Sequence, residues 1–549
     1  MNRFLRPTLF ALMVCVVTVR AASAANYYIA ANGSDTNNGT SKTTPWLHAP
    51  GMKSCANLCA SANPQPGDQF IFRGGDTWHF GNSSATPYVG STGWNWSWSG
   101  SNGNPIYLGV DQTWYTGSSW VRPVLTGDNP LNTSFVTSCA YDQSNLSFVN
   151  LSKVSYVTLD NFDFPGKCWS SASTYQASVN TYESSNLIIS NNYFHGWTAV
   201  LGSQDNHYGI LGNSNGPAGK VTYNQIVGNV FDGSDSSQGA ANSAACASAY
   251  VPSSPCQSGE GVYSEGYDIH DNVFRYLSNM IVVVNAETVH DNLFEYLYNT
   301  YTPNGPHSNV INEVGNITGG NTYFYNNIVR HTHVTEDLYI TVGATAYFFN
   351  NVLWDNMNYF ADIAPTNCII FGAVSSSGSQ TAYIYNNTVD GPNCNATFSS
   401  TNSPNMAWNG TAYFQNNHLI GFTNLAGFYH IDSGAAATIK DNGNELFQTE
   451  SVANAQGYVT GNNYAPAAGG ATIGAGASAS SQCVAFSTDS ELCGGTSDGA
   501  SEQSGSGGQI AVTPAIPMNP RQTAWDIGAY QFSGVTPPSP PTGLSAIVE

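Results

Sequence analysis

Between residues 207 and 339 the sequence gathers His207, Glu260, Tyr263, Glu265, Glu287, His307, Asn309, Glu313, His333, Glu336, Asp337 and Tyr339 on or beside short apolar segments. Side chains of these types support two chemistries. A protonated and an ionised carboxylate about 5 to 9.5 Å apart hydrolyse a glycosidic bond, and Glu265, Glu313 and Asp337 are the candidate members. In the other chemistry, β-elimination from a uronic-acid chain, His307 or Tyr263 removes the proton beside a carboxylate that Ca²⁺ or another cation neutralises. His207, Asn309, His333, Glu336 and Tyr339 would contact the substrate in either case. The cation supply weighs against elimination, because Lys+Arg total 14 against 35 Asp+Glu.

The same balance excludes other partners. A net charge of −21 repels phosphate backbones and anionic lipid, so neither nucleic acid nor a membrane surface is expected. Only 9% of residues are charged, against roughly 25% in ordinary soluble chains, yet 41% are hydrophobic and 12% aromatic. A large core is therefore available, and solubility falls to Asn, Ser, Thr and Gly. Residues 1–25 read as a secretory signal: Arg3 and Arg6 precede an apolar run from Leu9 to Val19 that ends in Ala22-Ser23-Ala24. A secreted, extracellular and monomeric protein is expected. Ten cysteines remain beyond the signal, spaced as Cys55/Cys59, Cys139/Cys168, Cys246/Cys256, Cys368/Cys394 and Cys483/Cys493, which suggests five local disulfides.

The elements that must position the candidate groups emerge from self-similarity. A motif recurs at Asn192, Asn229, Asn272, Asn292, Asn327, Asn351, Asn387 and Asn417, with a fading ninth copy at Asn442. An apolar residue stands three before each Asn: Ile189, Ile226, Ile269, Val289, Phe324, Phe348, Ile384, Phe414 and Ile439. The shortest spacing, from Asn272 to Asn292, is too short for two packed helices but sufficient for three short strands and three corners wound once around an axis. Longer spacings are the same rung with an inserted loop. Alternation agrees with strands, since Phe324 faces in while Tyr323 and Tyr325 face out. Rungs stacked at the strand spacing bury their apolar residues on one another, and stacked Asn side chains satisfy each other at a tight corner.

In this repeat the chain resembles the right-handed parallel β-helix proteins, which include pectate lyases and other secreted polysaccharide-acting proteins. The repeat carries the resemblance over about residues 150 to 450, and the segments NYYIAANGSDTNNGTSKTTPW (26–46) and WDIGAYQF (525–532) strengthen it. It implies an all-β, single-stranded parallel β-helix solenoid with an N-terminal cap and an irregular C-terminal closing layer. It further implies an extracellular polysaccharide or glycan as partner. Two functions fit: cleavage of that polysaccharide in a lateral groove, by hydrolysis or β-elimination, or non-catalytic glycan binding by a scaffold or adhesin. The expected organisation is a cap and first rungs to residue 150, β-helix from 151 to 465 and a closing segment from 466 to 534. A Pro-rich linker and the possible start of a further module occupy 535–549.

The groove is placed on the sheet preceding the Asn strand, built from segments 207–212, 261–266, 280–284, 307–314, 337–343 and 368–374. Other features have structural readings. Trp94, Trp96 and Trp98 alternate, so their rings share a face, packed as a lid or exposed to sugar rings. Arg275, Glu295 and Arg330 share one offset from their Asn and form a charge ladder. His270 and His290 form a stacked pair beside the Asn column. Tyr323, Tyr347, Tyr383 and Tyr413 share an outward offset, and an exposed stripe of that size suits sugar binding or cover by a loop.

Overall fold

Each apolar segment of the repeat is a strand that hydrogen-bonds to its counterpart one rung away, always in parallel. The computed structural model describes residues 24–132, 136–171, 176–200, 207–212, 223–236, 259–277, 279–283, 288–298, 309–313, 321–333, 338–342, 345–356, 367–373, 379–391, 394–399, 407–486, 491–495, 501–505, 509–513, 519–521 and 524–532. These residues form three long parallel sheets of 13, 12 and 11 strands. One rung visits the three in turn: Tyr267–His270 lies in the first sheet, Val273–Arg275 in the second and Asn279–Val283 in the third. The molecule is a three-sided parallel β-helix, and its first sheet already begins with Asn26–Ile29.

Inward residues form vertical files. Ile269 registers with Val289 and Val289 with Phe324, and all three are fully buried. Two residues after the ladder Asn, the rings of Phe194, Phe231, Phe274 and Phe294 stack with Phe164 of the preceding rung at 4.6 to 5.1 Å. The third sheet bends over this file. In its strands two consecutive residues face the core, as Phe148 with Val149, Met280 with Ile281 and Val310 with Ile311. At Gly209 and Gly261 the same bend leaves no room for a side chain, since a Cβ would come within 2.7 Å of the Phe231 and Phe274 rings.

The Asn residues form a continuous ladder. Both the backbone N–H and the side-chain Nδ2 of Asn192 donate to Asn229 Oδ1, at 2.9 and 3.0 Å, and Nδ2 also donates to the Leu159 carbonyl at 3.1 Å. The pattern repeats through Asn272, Asn292, Asn327, Asn351 and Asn387 to Asn417. Every polar atom of these buried amides thereby finds a partner. The residue before each is left-handed, with φ of 53–58° at Asn191, Asp271, Asp291, Asn326, Asn350, Asn386 and Asn416, which explains the recurring Asn-Asn and Asp-Asn pairs.

The ninth copy is shifted from the sequence expectation. Phe414 registers with Asp441 and Ala412 with Ile439, so Ile439 does not continue the file of Phe414. Asn444 is the left-handed residue, and Glu445 occupies the ladder position, accepting from Asn417 N at 2.7 Å. One extra residue at this corner, added to the strand shift that sets Ile439 against Ala412, displaces Asn442 from the ladder.

Trp94 and Trp96 are buried against Phe72 and Phe70, and Trp98 packs edge-on to Trp96, as a lid over the first rungs. Four disulfides occur among the described residues, Cys55–Cys59, Cys139–Cys168, Cys368–Cys394 and Cys483–Cys493; the expected fifth pair, Cys246 and Cys256, lies outside them. The C-terminal segment lies along the flank. Trp525 joins Tyr325, Phe349 and Tyr385 on the first sheet, while Ala529 and Tyr530 join Val230, Val273 and Ile328 on the outside of the second. Arg521 fixes it there, donating to the carbonyls of Gly528 and Ala529 at 2.9 Å and to Asn350 Oδ1 at 2.9 Å.

Candidate active site

The outer face of the second sheet carries a file three residues after each ladder Asn. His195, Asp232, Arg275, Glu295, Arg330, Trp354, Asp390 and Ile420 follow one another in register. The first part is an ion ladder, with Arg275 2.5 Å from Asp232 and Arg330 2.7 Å from Glu295. Above Arg330 the file turns aromatic and acidic, and a cavity opens there.

The cavity, of about 760 Å³, is lined by Trp354, Asp355, Asn356, Asp390, Glu450 and Tyr464 among others. Its floor is the strands Val352–Asn356 and Thr388–Asp390, and its far wall is helix Glu450–Ala455 with the turn that follows. That turn ends in two consecutive left-handed residues, Asn463 and Tyr464, whose φ values are 49° and 62°. Such backbone is costly for side chains of this size and is held by contacts. Asn463 Oδ1 accepts from Arg330 Nη1 at 3.0 Å and from Trp354 Nε1 at 3.2 Å, while the Tyr464 hydroxyl donates to Asp390 Oδ2.

The carboxylates differ in environment. Burial raises the pKa of Asp390, the neighbouring charges of Glu450 and Asp355 add to the rise, and the Tyr464 hydrogen bond only partly offsets them. Its Oδ1 is buried and finds no hydrogen-bond partner among the described residues. Asp355 instead meets His331 Nδ1 at 2.6 Å, and the His331 ring stacks on Tyr296 and lies edge-on to Trp354. A carboxyl biased to its acid form thus shares a cavity with a histidine-bonded carboxylate, beside an indole and a phenol. Asp390 registers with Trp354, so Asp355 stands one residue further along the neighbouring rung.

This cavity lies on a different sheet from the groove expected from sequence. The expected groove strands do exist, as His207–Leu211, Gly259–Ser264, Asn279–Val283, Ile311–Glu313, Leu338–Val342 and Asn367–Ala373 of the third sheet. Register brings Tyr263, Val282, Asn312 and Tyr339 into one column. Tyr263 is half-buried and packs edge-on to Tyr208 at 5.2 Å. Glu265 is buried just beyond its strand, and Asn309 is fully buried, its carbonyl accepting from Met280 N at 3.0 Å. Glu313 occupies the register position of Val283 and Ser264, and the backbone of His207 pairs with Gln176 and Gly259. His333 falls in the second sheet, opposite Tyr298, and so is separated from the groove strands. His307, Glu336 and Asp337 lie outside the described residues.

Sequence reasoning passed over Trp354, Asp355, Asp390 and Tyr464. The signal for Trp354 and Asp390 was present, because the offset that singled out Arg275, Glu295 and Arg330 continues to them. Among the described residues, no three His, Cys, Asp or Glu side chains converge to hold the Ca²⁺ that elimination would call on. The stacked pair His270 and His290, at 4.8 Å, continues into Tyr325 and Phe349.

No protein-family model matches the chain, and no curated protein matches it. Solved structures do resemble it. A pectate lyase is 15% identical, with 84% of this chain and 93% of that one covered and a TM-score of 0.41. For a rhamnogalacturonan lyase the values are 13%, 77%, 89% and 0.42. For a lacto-N-biosidase from Eubacterium ramulus they are 12%, 77%, 68% and 0.33. At such values the parallel β-helix rests on the sheets and registers described above. Among the described residues no helix is long and apolar enough to cross a membrane.

Proposed function

We propose that this chain is a secreted carbohydrate-active enzyme that hydrolyses a glycosidic bond in the cavity between Trp354 and Tyr464. Asp390 donates a proton to the leaving oxygen, and Asp355, oriented by His331, acts as base or nucleophile on the opposite side. The supporting observation is the pairing of an acid-biased carboxyl with a second carboxylate in one open, aromatic-walled cavity. Trp354, buried among Arg330, His331 and Tyr464, backs the cavity, and the acidic lining favours a neutral chain over a uronate. Four disulfides suit an oxidising, extracellular setting.

The test is incubation with a polysaccharide panel while reducing ends and ultraviolet absorbance are recorded together. Reducing ends without absorbance, lost in Asp390→Asn and Asp355→Asn, support the proposal. Both signals rising together would overturn it in favour of elimination, for which Tyr263, His307 and Glu313, the residues expected from sequence, are the alternative. Binding without cleavage of any substrate would leave a glycan-binding scaffold.

A further inference from the structure

A second surface lies on the first sheet, away from the cavity-bearing sheet and independent of its chemistry. Two outward files run side by side there through consecutive rungs. One is Asn321, Thr345, Thr381, Thr411 and Thr438; the other is Tyr323, Tyr347, Tyr383 and Tyr413, followed by Lys440. The tyrosine rings stack at 4.6, 5.6 and 5.2 Å and within 15° of parallel, so their edges and hydroxyls, not their faces, turn outward. These tyrosines and Thr345, Thr381 and Thr411 are half-buried, whereas Thr438 and Lys440 are exposed. The neighbouring file of Tyr325, Phe349 and Tyr385 is covered by Ala479, Cys483, Leu492 and Trp525, and the four strip tyrosines pack against this cluster along one side.

The strip is regular and uncharged. From Asn321 to Tyr413 neither file contains a charged side chain, on a chain whose net charge is −21. The rungs of Thr345 and Tyr347, Thr381 and Tyr383, and Thr411 and Tyr413 present the same hydroxyls one strand spacing apart. A soluble small ligand gains little from such repetition. A polymer that repeats hydroxyls at a similar advance meets every rung at once, and individually weak contacts add through multivalency. An uncharged partner fits the strip, whereas a polyanion would meet the repulsion of the acidic molecule.

We propose that this threonine and tyrosine strip binds the flat surface of an ordered, uncharged polysaccharide, with sugar chains running along the helix axis. The full chain is mixed with microcrystalline cellulose and with crystalline chitin, and depletion from the supernatant is measured. Tyr347→Ala/Tyr383→Ala and Thr381→Lys/Thr411→Lys, checked for native circular dichroism, are expected to lower the partition onto the retaining polymer by about tenfold. Lys153→Ala, an exposed change in neither the strip nor the cavity, is expected to partition as the unaltered chain does. Retention of neither polymer, or equal retention of natively folded strip variants, would overturn the proposal. Faceting of ice crystals in place of polymer retention would overturn it too, reassigning the hydroxyl array to ice.

Discussion

Asp390 and His195 belong to one file of outward side chains, yet burial acts on them with opposite results. At Asp390 burial and two neighbouring acids favour the neutral form. As the proton donor it is active only while protonated, so activity is expected to fall as pH rises through its raised pKa. In Asp390→Asn that alkaline limb should disappear and kcat should drop by about 10²- to 10⁴-fold, measured as a pH profile of reducing-end release. At His195 burial opposes the charge, but Asp163 at 2.9 Å and Asp235 at 2.6 Å outweigh it and lift the imidazole to about 10. Because the folded pKa lies above the ordinary 6.5, this stabilisation is complete below about pH 6.5 and is lost as pH climbs through about 10. Urea unfolding should therefore show a larger loss of stability between pH 6 and pH 10 in the natural chain than in His195→Gln. An equal loss in both would remove His195 from the account.

Among the elements, the C-terminal segment depends most on one side chain. Arg521 is buried, and burial lowers its pKa to about 9, yet its guanidinium satisfies carbonyls of Leu492, Asp526, Gly528, Ala529 and Tyr530. Arg521→Ala should cost about 3 kcal/mol and expose the segment to protease before the rungs unfold. Arg521→Lys should recover little, because an ammonium lacks the planar fork. Thermal unfolding with limited proteolysis distinguishes the two effects. The rungs themselves were legible in the sequence because an inward apolar residue, a left-handed corner and a buried amide recur together at each turn. Glu445 was not, since one added residue at the corner and a shifted strand move it off the period and a carboxylate replaces the amide. The cavity was only half legible: Trp354 and Asp390 keep the period, but Glu450, Asn463 and Tyr464 come from a non-repeating segment. No pattern within the rungs specifies where that segment docks.

Across the whole molecule, the N-terminal rungs end under a tryptophan lid, whereas the last rung is more open. Tyr429, Ile431, Ala437, Ile439 and Phe447 pack on the core yet stay partly exposed. The stack therefore has unequal ends, and its cohesion comes from neighbour-to-neighbour contacts.

Rungs joined by nearest-neighbour contacts need not assemble in chain order. The shortest connection in the ladder joins Asn272 to Asn292, and it closes the smallest loop, with the least entropy to overcome. Strands Tyr267–His270 and Thr288–His290, with their partners Val273–Arg275 and Leu293–Tyr298, are the natural nucleus from which order spreads both ways along the axis. Pulse-labelled hydrogen exchange during refolding should find the amides of Ile269 and Val289 protected before those of Phe70 or Phe414. Simultaneous protection would mean that the prism assembles all at once, without a seed.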